Sequence, residues 1–152
     1  MQTEILGNTQ SIALQNNTLV IKTNETEARI MVYSPTVIRV CISKAFHITD
    51  KSFAVIQQPL ATLDYQESED EIEINTSSLK LRITKSPLRF NFYTANGKAL
   101  SQDDKRFGTN WQDSRVINYR KLYPDEKFMG LGEKTGNLNR RGSSYVNWNT
   151  DA

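Results

Sequence analysis

One cysteine, Cys41, and one histidine, His47, are all that the chain offers of two residue types on which many metal sites and nucleophilic centres depend. A lone thiol excludes an internal disulfide framework. A lone imidazole excludes zinc or haem sites built from several histidines and leaves Ser-His-Asp chemistry poorly supplied. Excess charge of one sign is also missing, because 19 Lys+Arg against 17 Asp+Glu leave a formal +2. That is too little for the phosphate-neutralising surface of a nucleic-acid binder. Long apolar runs are absent too: Ile30–Tyr33 is far shorter than the roughly 20 residues of a membrane-spanning helix. The start, Met1–Ile5, lacks a basic region followed by an apolar stretch, so a cytoplasmic location is expected, with a periplasmic or secreted one the alternative if a signal has been removed. No cofactor, metal, nucleic acid or membrane is expected as a partner.

What is present is globular: 38% hydrophobic and 24% charged residues in a chain of 152, the size of one ordinary domain, here residues 1–152. Period-two alternation dominates. In Leu79-Lys80-Leu81-Arg82-Ile83-Thr84 the three aliphatic residues share one face and the polar ones the other, as a half-buried antiparallel strand requires. Further strands are expected at Thr18–Thr23, Ala28–Tyr33, Val37–Ser43, Glu71–Asn75, Arg89–Thr94 and Arg115–Lys121. Their inward residues include Ile38, Val40, Ile42, Ile72, Ile74, Phe90 and Phe92. Ser34-Pro35 and Ser86-Pro87 punctuate them, and Ala95-Asn96-Gly97-Lys98 suits a two-residue hairpin turn with positive φ at both central positions. Close spacing of short strands with turns between them is the pattern of a sandwich or barrel. No window shows sustained helical spacing, so any helix is short. The charge cluster Glu67–Glu71 is expected to be a solvated turn.

Beyond Tyr123-Pro124 the texture changes, with Gly130, Gly132, Gly136 and Gly142 interspersed with asparagines, a composition of ordered loop. Gly130-Leu131-Gly132-Glu133-Lys134-Thr135-Gly136 is not a phosphate cradle, because Glu133 stands where a P-loop needs glycine and its charge repels phosphate. His47 is expected to be structural and Cys41 an inert buried thiol. Asp103-Asp104 before Lys105-Arg106 is expected to form a salted turn. No pair of carboxylates amounts to a self-sufficient catalytic dyad.

The tail from Phe128 to Gly142, with its Gly-Leu-Gly-Glu-Lys-Thr-Gly core and Arg140-Arg141-Gly142 step, followed by Tyr145 and Trp148-Asn149-Thr150-Asp151-Ala152, resembles the start of glycoside hydrolase family 31, the α-glucosidase and α-xylosidase family. Upstream, Asn75–Ile83, Pro87-Leu88-Arg89-Phe90, Asn96-Gly97-Lys98 and Leu100-Ser101 are similar to that family's amino-terminal domain. The resemblance implies an all-β antiparallel β-sandwich of the galactose-mutarotase-like (supersandwich) kind, with 128–152 a long glycine-rich loop reaching toward a catalytic (β/α)₈ barrel of the same full-length chain.

It further implies retaining hydrolysis of terminal α-linked glucose in oligosaccharides, through a nucleophilic Asp and a second Asp acting as acid and then base. Both lie on the barrel, which takes roughly 250 residues, so no catalytic residue is assigned within this chain. The substrate-binding candidate is Asp151, whose carboxylate would accept sugar hydroxyls, against the alternative that it caps a turn. Trp148 is a weaker candidate for the pocket wall. Gly130, Gly132 and Gly142 are expected as backbone requirements, and Glu133, Arg140 and Arg141 as the polar bonds that hold the loop. Two other functions stay open: an α-xylosidase of the same family, and a stand-alone carbohydrate-binding β-sandwich module. A structural sandwich serving subunit contacts is a third possibility.

Overall fold

The computed structural model describes residues 3–44, 53–60 and 62–147. His47, Trp148 and Asp151 lie outside the described residues. The chain divides into two compact units, Met1–Lys121 and Leu122–Ala152. The first carries every assigned strand: β1 Thr3–Ile5, β2 Ser11–Gln15, β3 Thr18–Lys22, β4 Thr26–Ser34, β5 Val37–Lys44, β6 Tyr65–Glu67, β7 Glu71–Asn75, β8 Leu79–Lys85, β9 Leu88–Thr94, β10 Ala99–Gln102, β11 Thr109–Gln112 and β12 Arg115–Asn118. Among the described residues there is no helix.

All pairings are antiparallel. A four-stranded sheet runs β2-β3-β4-β5, a five-stranded sheet β10-β9-β8-β7-β6, and a three-stranded sheet β1-β11-β12. The alternation that marks β8 as a strand also sets its register: Leu81 opposes Ile74 and Phe92, and Ile83 opposes Ile72 and Phe90. Leu19, Ile21, Ala28, Ile30 and Val32 from the four-stranded sheet join these residues, with Leu6 and Trp111 from the flanks, in one hydrophobic cluster. Each fully buried Leu, Ile or Phe there contributes about 1.5–3 kcal/mol relative to exposure. The expected all-β sandwich is what the chain forms, and Ile38, Val40, Ile42 and Phe92 pack on the core as anticipated.

Several local expectations change. The Ala95–Lys98 connection has positive φ at Gly97 alone. It is a four-residue loop closed by Thr94 N donating to Lys98 O at 2.8 Å, with Lys98 N donating back to Thr94 Oγ1 at 3.1 Å. The two-residue turn with both φ positive falls instead at Asn16 (46°) and Asn17 (59°), between paired Gln15 and Thr18. Asparagine tolerates this region because its short amide bonds locally. Cys41 is half-buried rather than buried. The Glu67–Glu71 connection is the solvated turn expected, with Ser68 Oγ accepting from Glu71 N at 3.1 Å.

Asp103 departs furthest from expectation. It is only 5% exposed, not a salted turn residue. Its Oδ2 accepts the Phe90 N–H at 2.7 Å, and its Oδ1 stands 3.3 Å from Arg120 Nη1. Burial pushes its carboxyl above the usual carboxylate range, against the pull of the Phe90 amide and of Arg120 and Arg89. Arg89, also buried, spends its guanidinium on the carbonyls of Leu88, Asp104 and Arg106 at 2.8–3.2 Å. Asp104 alone behaves as a turn acid, its Oδ1 accepting from the amides of Arg106 and Phe107. A carboxylate and a guanidinium thus fasten the β10–β11 connection to β9.

Candidate functional site

The second unit carries the glycine-rich segment. With no strand among its described residues, it must satisfy its backbone by other means, and two adjacent arginines do so. Arg140 donates from Nη1 to Thr135 O at 3.0 Å and from Nη2 to Lys134 O at 2.9 Å. Its guanidinium carbon lies 5.3 Å from the centre of the Tyr145 ring, and Nη1 also reaches Tyr145 Oη at 3.4 Å. That bond, with a second from Ser143, holds the Tyr145 phenol below its ordinary pKa. Arg141 donates from Nη1 to Tyr123 O at 2.6 Å and Glu126 O at 2.8 Å. Asn139 Oδ1 completes the arrangement by accepting from the amides of Phe128 and Arg141.

The arginines therefore hold the loop as expected, through planar guanidinium groups that address two carbonyls at once. Glu133 does not: it is exposed and makes no hydrogen bond or ion pair among the described residues. Gly130 (φ 103°), Leu131 (71°) and Gly132 (72°) form three consecutive left-handed residues, and Gly142 (77°) also has positive φ. An ordinary side chain at either glycine flanking Leu131 would add strain to a turn that already carries one non-glycine residue there.

The chemistry available in the described part of this unit is limited. Glu126 Oε2 caps Tyr123 N at 3.1 Å, while Asp125 and Glu133 are exposed. No cluster of three or more His, Cys, Asp or Glu that could hold a metal occurs among the described residues. Asp151 and Trp148, the candidates read from the sequence, lie outside the described residues.

The described residues form a helix-free antiparallel sandwich followed in sequence by an arginine-pinned glycine loop, and the family match makes this a sandwich domain of the galactose-mutarotase class. Residues 27–152 match the glycosyl hydrolase 31 N-terminal galactose mutarotase-like domain. The chain belongs to that family. It is 29% identical over 101 residues to alpha-glucosidase 2 of Bacillus thermoamyloliquefaciens, covering 66% of this chain and 13% of that protein. It is 36% identical over 93 residues to the alpha-xylosidase XylQ of Lactiplantibacillus pentosus, covering 53% of this chain and 12% of that one. Among solved structures, a Flavobacterium johnsoniae GH31 dextranase complexed with isomaltotriose superposes with a TM-score of 0.89 at 30% identity, covering 98% of this chain and 19% of the dextranase. A cycloalternan-forming enzyme from Listeria monocytogenes shares the fold, with a TM-score of 0.76 at 17% identity over 93% of this chain and 14% of that enzyme. The chain thus spans less than a fifth of the length of each of these relatives.

Proposed function

We propose that this chain acts as the amino-terminal domain of a retaining glycoside hydrolase that releases terminal α-linked glucose from oligosaccharides. A catalytic (β/α)₈ barrel of the same full-length chain would supply both acids. One aspartate attacks the anomeric carbon as the other protonates the leaving oxygen, and water then releases the sugar from the covalent intermediate. This domain lends Asp151, whose carboxylate accepts hydroxyls of the bound sugar. The observation that carries the reading is the family match over residues 27–152, joined to a loop whose arginines hold the backbone carbonyls of Tyr123, Glu126, Lys134 and Thr135.

The test is Asp151→Ala in the enzyme that contains this domain. A charge-assisted hydrogen bond lost from the transition state lowers kcat/KM for maltose or isomaltose roughly 10- to 100-fold, with the unfolding midpoint unchanged. Unaltered kinetics would refute the assignment. The identity with an alpha-xylosidase supports a second reading, release of α-linked xylose. Comparing p-nitrophenyl α-glucoside with the α-xyloside separates the two.

A further inference from the structure

The outer face of the four-stranded sheet carries a half-open cleft of about 750 Å³, within the range of small-molecule sites. Its floor follows from strand register. Residues facing away from the core alternate with the buried Leu19, Ile30 and Val32, and Met31 opposes Arg39 directly across β4 and β5. Thr18, paired with Gln15 on the next strand, extends the same side of the sheet. The opposite wall is the extended segment Val55–Pro59. Two bonds fix that segment along the end of β4: Gln57 Nε2 donates to Tyr33 O at 2.8 Å, and Leu60 N donates to Val32 O at 2.7 Å.

The polar groups are arranged for directional recognition. Arg39 Nη1 donates to Tyr33 Oη at 3.4 Å. The phenol oxygen is thereby used as an acceptor, and its proton is left to donate. Gln57 commits its amide nitrogen to the backbone and keeps Oε1 as an acceptor, while Gln58 presents an exposed carboxamide at the rim. Met31, Val37 and Pro59 place short apolar patches between these groups. Among the described residues the lining contains one cation, Arg39, and no carboxylate. A phosphate-bearing ligand would call for several converging cationic or amide donors, and a cation for acids. Alternating hydroxyls and C–H surfaces, which an uncharged pyranose chain presents, match donors and acceptors separated by apolar patches.

We infer that this cleft is a binding site for an uncharged oligosaccharide, with Tyr33 Oη, Arg39 and the Gln57 and Gln58 carboxamides as its polar contacts. It uses none of residues 122–152, so it does not rest on the role proposed for Asp151. The test is a titration of the ¹⁵N-labelled 152-residue chain with maltoheptaose and, separately, isomaltotriose, read by amide chemical shifts. Saturable shifts at residues 16–18, 31–33, 37–39 and 55–58 are expected, with a Kd on the order of 1 mM for a half-open site.

Tyr33→Phe removes one hydroxyl and keeps the ring, so the fold is retained and checked in the same spectra. It should weaken binding roughly 5- to 10-fold, as should Arg39→Gln. Asp151→Ala should leave the titration unchanged. The proposal is overturned by the absence of saturable shifts up to about 20 mM, by shifts confined to residues 122–147, by equal binding of Tyr33→Phe, or by inorganic phosphate competing for the same amides more tightly than either sugar.

Discussion

Replacing Asp103 by alanine probes a buried acid whose carboxylate accepts a backbone amide of β9. The Asp103 side chain is wholly shielded from solvent, whereas that of its ion-pair partner Arg120 is 36% exposed. The ion pair therefore matters less than the hydrogen bond, because a half-solvated guanidinium loses little when its anion is removed. The charge-assisted bond from Phe90 N, at 2.7 Å, contributes about 1.5–3 kcal/mol. Its deletion leaves a buried amide on β9 unsatisfied, a penalty of about 1–3 kcal/mol that overlaps with the first figure. A loss of about 3 kcal/mol is expected. With a urea m-value of about 1.5–2 kcal/mol/M, that moves the midpoint down by roughly 1.5–2 M, measurable through the fluorescence of buried Trp111.

Asp103→Asn separates the acceptor from the charge. It keeps an oxygen for Phe90 N and is expected to cost about 1 kcal/mol or less at neutral pH. The pH dependence then has a definite sign. The folded-state pKa of Asp103 lies above its ordinary value because of burial, so the native state binds the proton more tightly than the unfolded chain. Stability contributed by this group falls as pH rises from the unfolded pKa through the folded one, and the penalty is fully present above both. The wild type should therefore gain on Asp103→Asn as pH falls through that window. A midpoint loss under about 0.5 M urea for Asp103→Ala, or a pH trend of opposite sign, would refute this account.

Three further outcomes follow from other polar contacts. Glu73 accepts from Asn75 Nδ2 at 2.8 Å and Arg82 Nε at 2.9 Å and pairs with Lys80 at 3.1 Å, and these partners, Asn75 first, lower its pKa to about 2. Its stabilisation is present above the unfolded pKa and is lost as pH falls through about 2; because the cluster is at the surface and screened, Glu73→Gln should cost only about 1 kcal/mol at pH 7 and a small fraction of that near pH 2, as acid-dependent urea unfolding will show. Gly108→Ala should destabilise by about 2–4 kcal/mol, since φ is +50° and the new Cβ would lie 2.8 Å from Cδ and Nε of the buried Arg89; calorimetry checks this. Arg141→Ala frees the carbonyls of Tyr123 and Glu126 and should raise amide exchange across residues 122–142 roughly tenfold while leaving the sandwich amides unaffected.

How far the fold was legible depends on where each strand obtains its specification. Glu71–Asn75 and Leu79–Lys85 announce themselves because one face is buried and the other solvated, so composition alternates with the pleat. β11 does not, because Thr109, Asn110 and Trp111 are all buried and two of the three are polar. It is a strand because β1 and β12 hydrogen-bond to its two edges, and a pairing with residues more than a hundred positions away leaves no local trace. The same reasoning explains Asp103. Next to Asp104, Lys105 and Arg106 it has the sequence surroundings of a solvated turn, and only the antiparallel contact with Arg120 and the approach of β9 turn it inward.

The candidate loop shows the converse. The expectation that Arg140 and Arg141 hold it came from family resemblance, since no alternation or periodicity marks a segment whose bonds run from guanidinium to carbonyl. Glu133 lies in the same motif, yet it makes no bond among the described residues. A motif therefore identifies a segment without specifying what each member does. An arginine that satisfies two carbonyls of its own unit contributes rigidity wherever that unit is placed. An exposed acid with no internal partner contributes nothing to the loop's internal bonding, and replacing it should leave the Arg140 and Arg141 contacts intact.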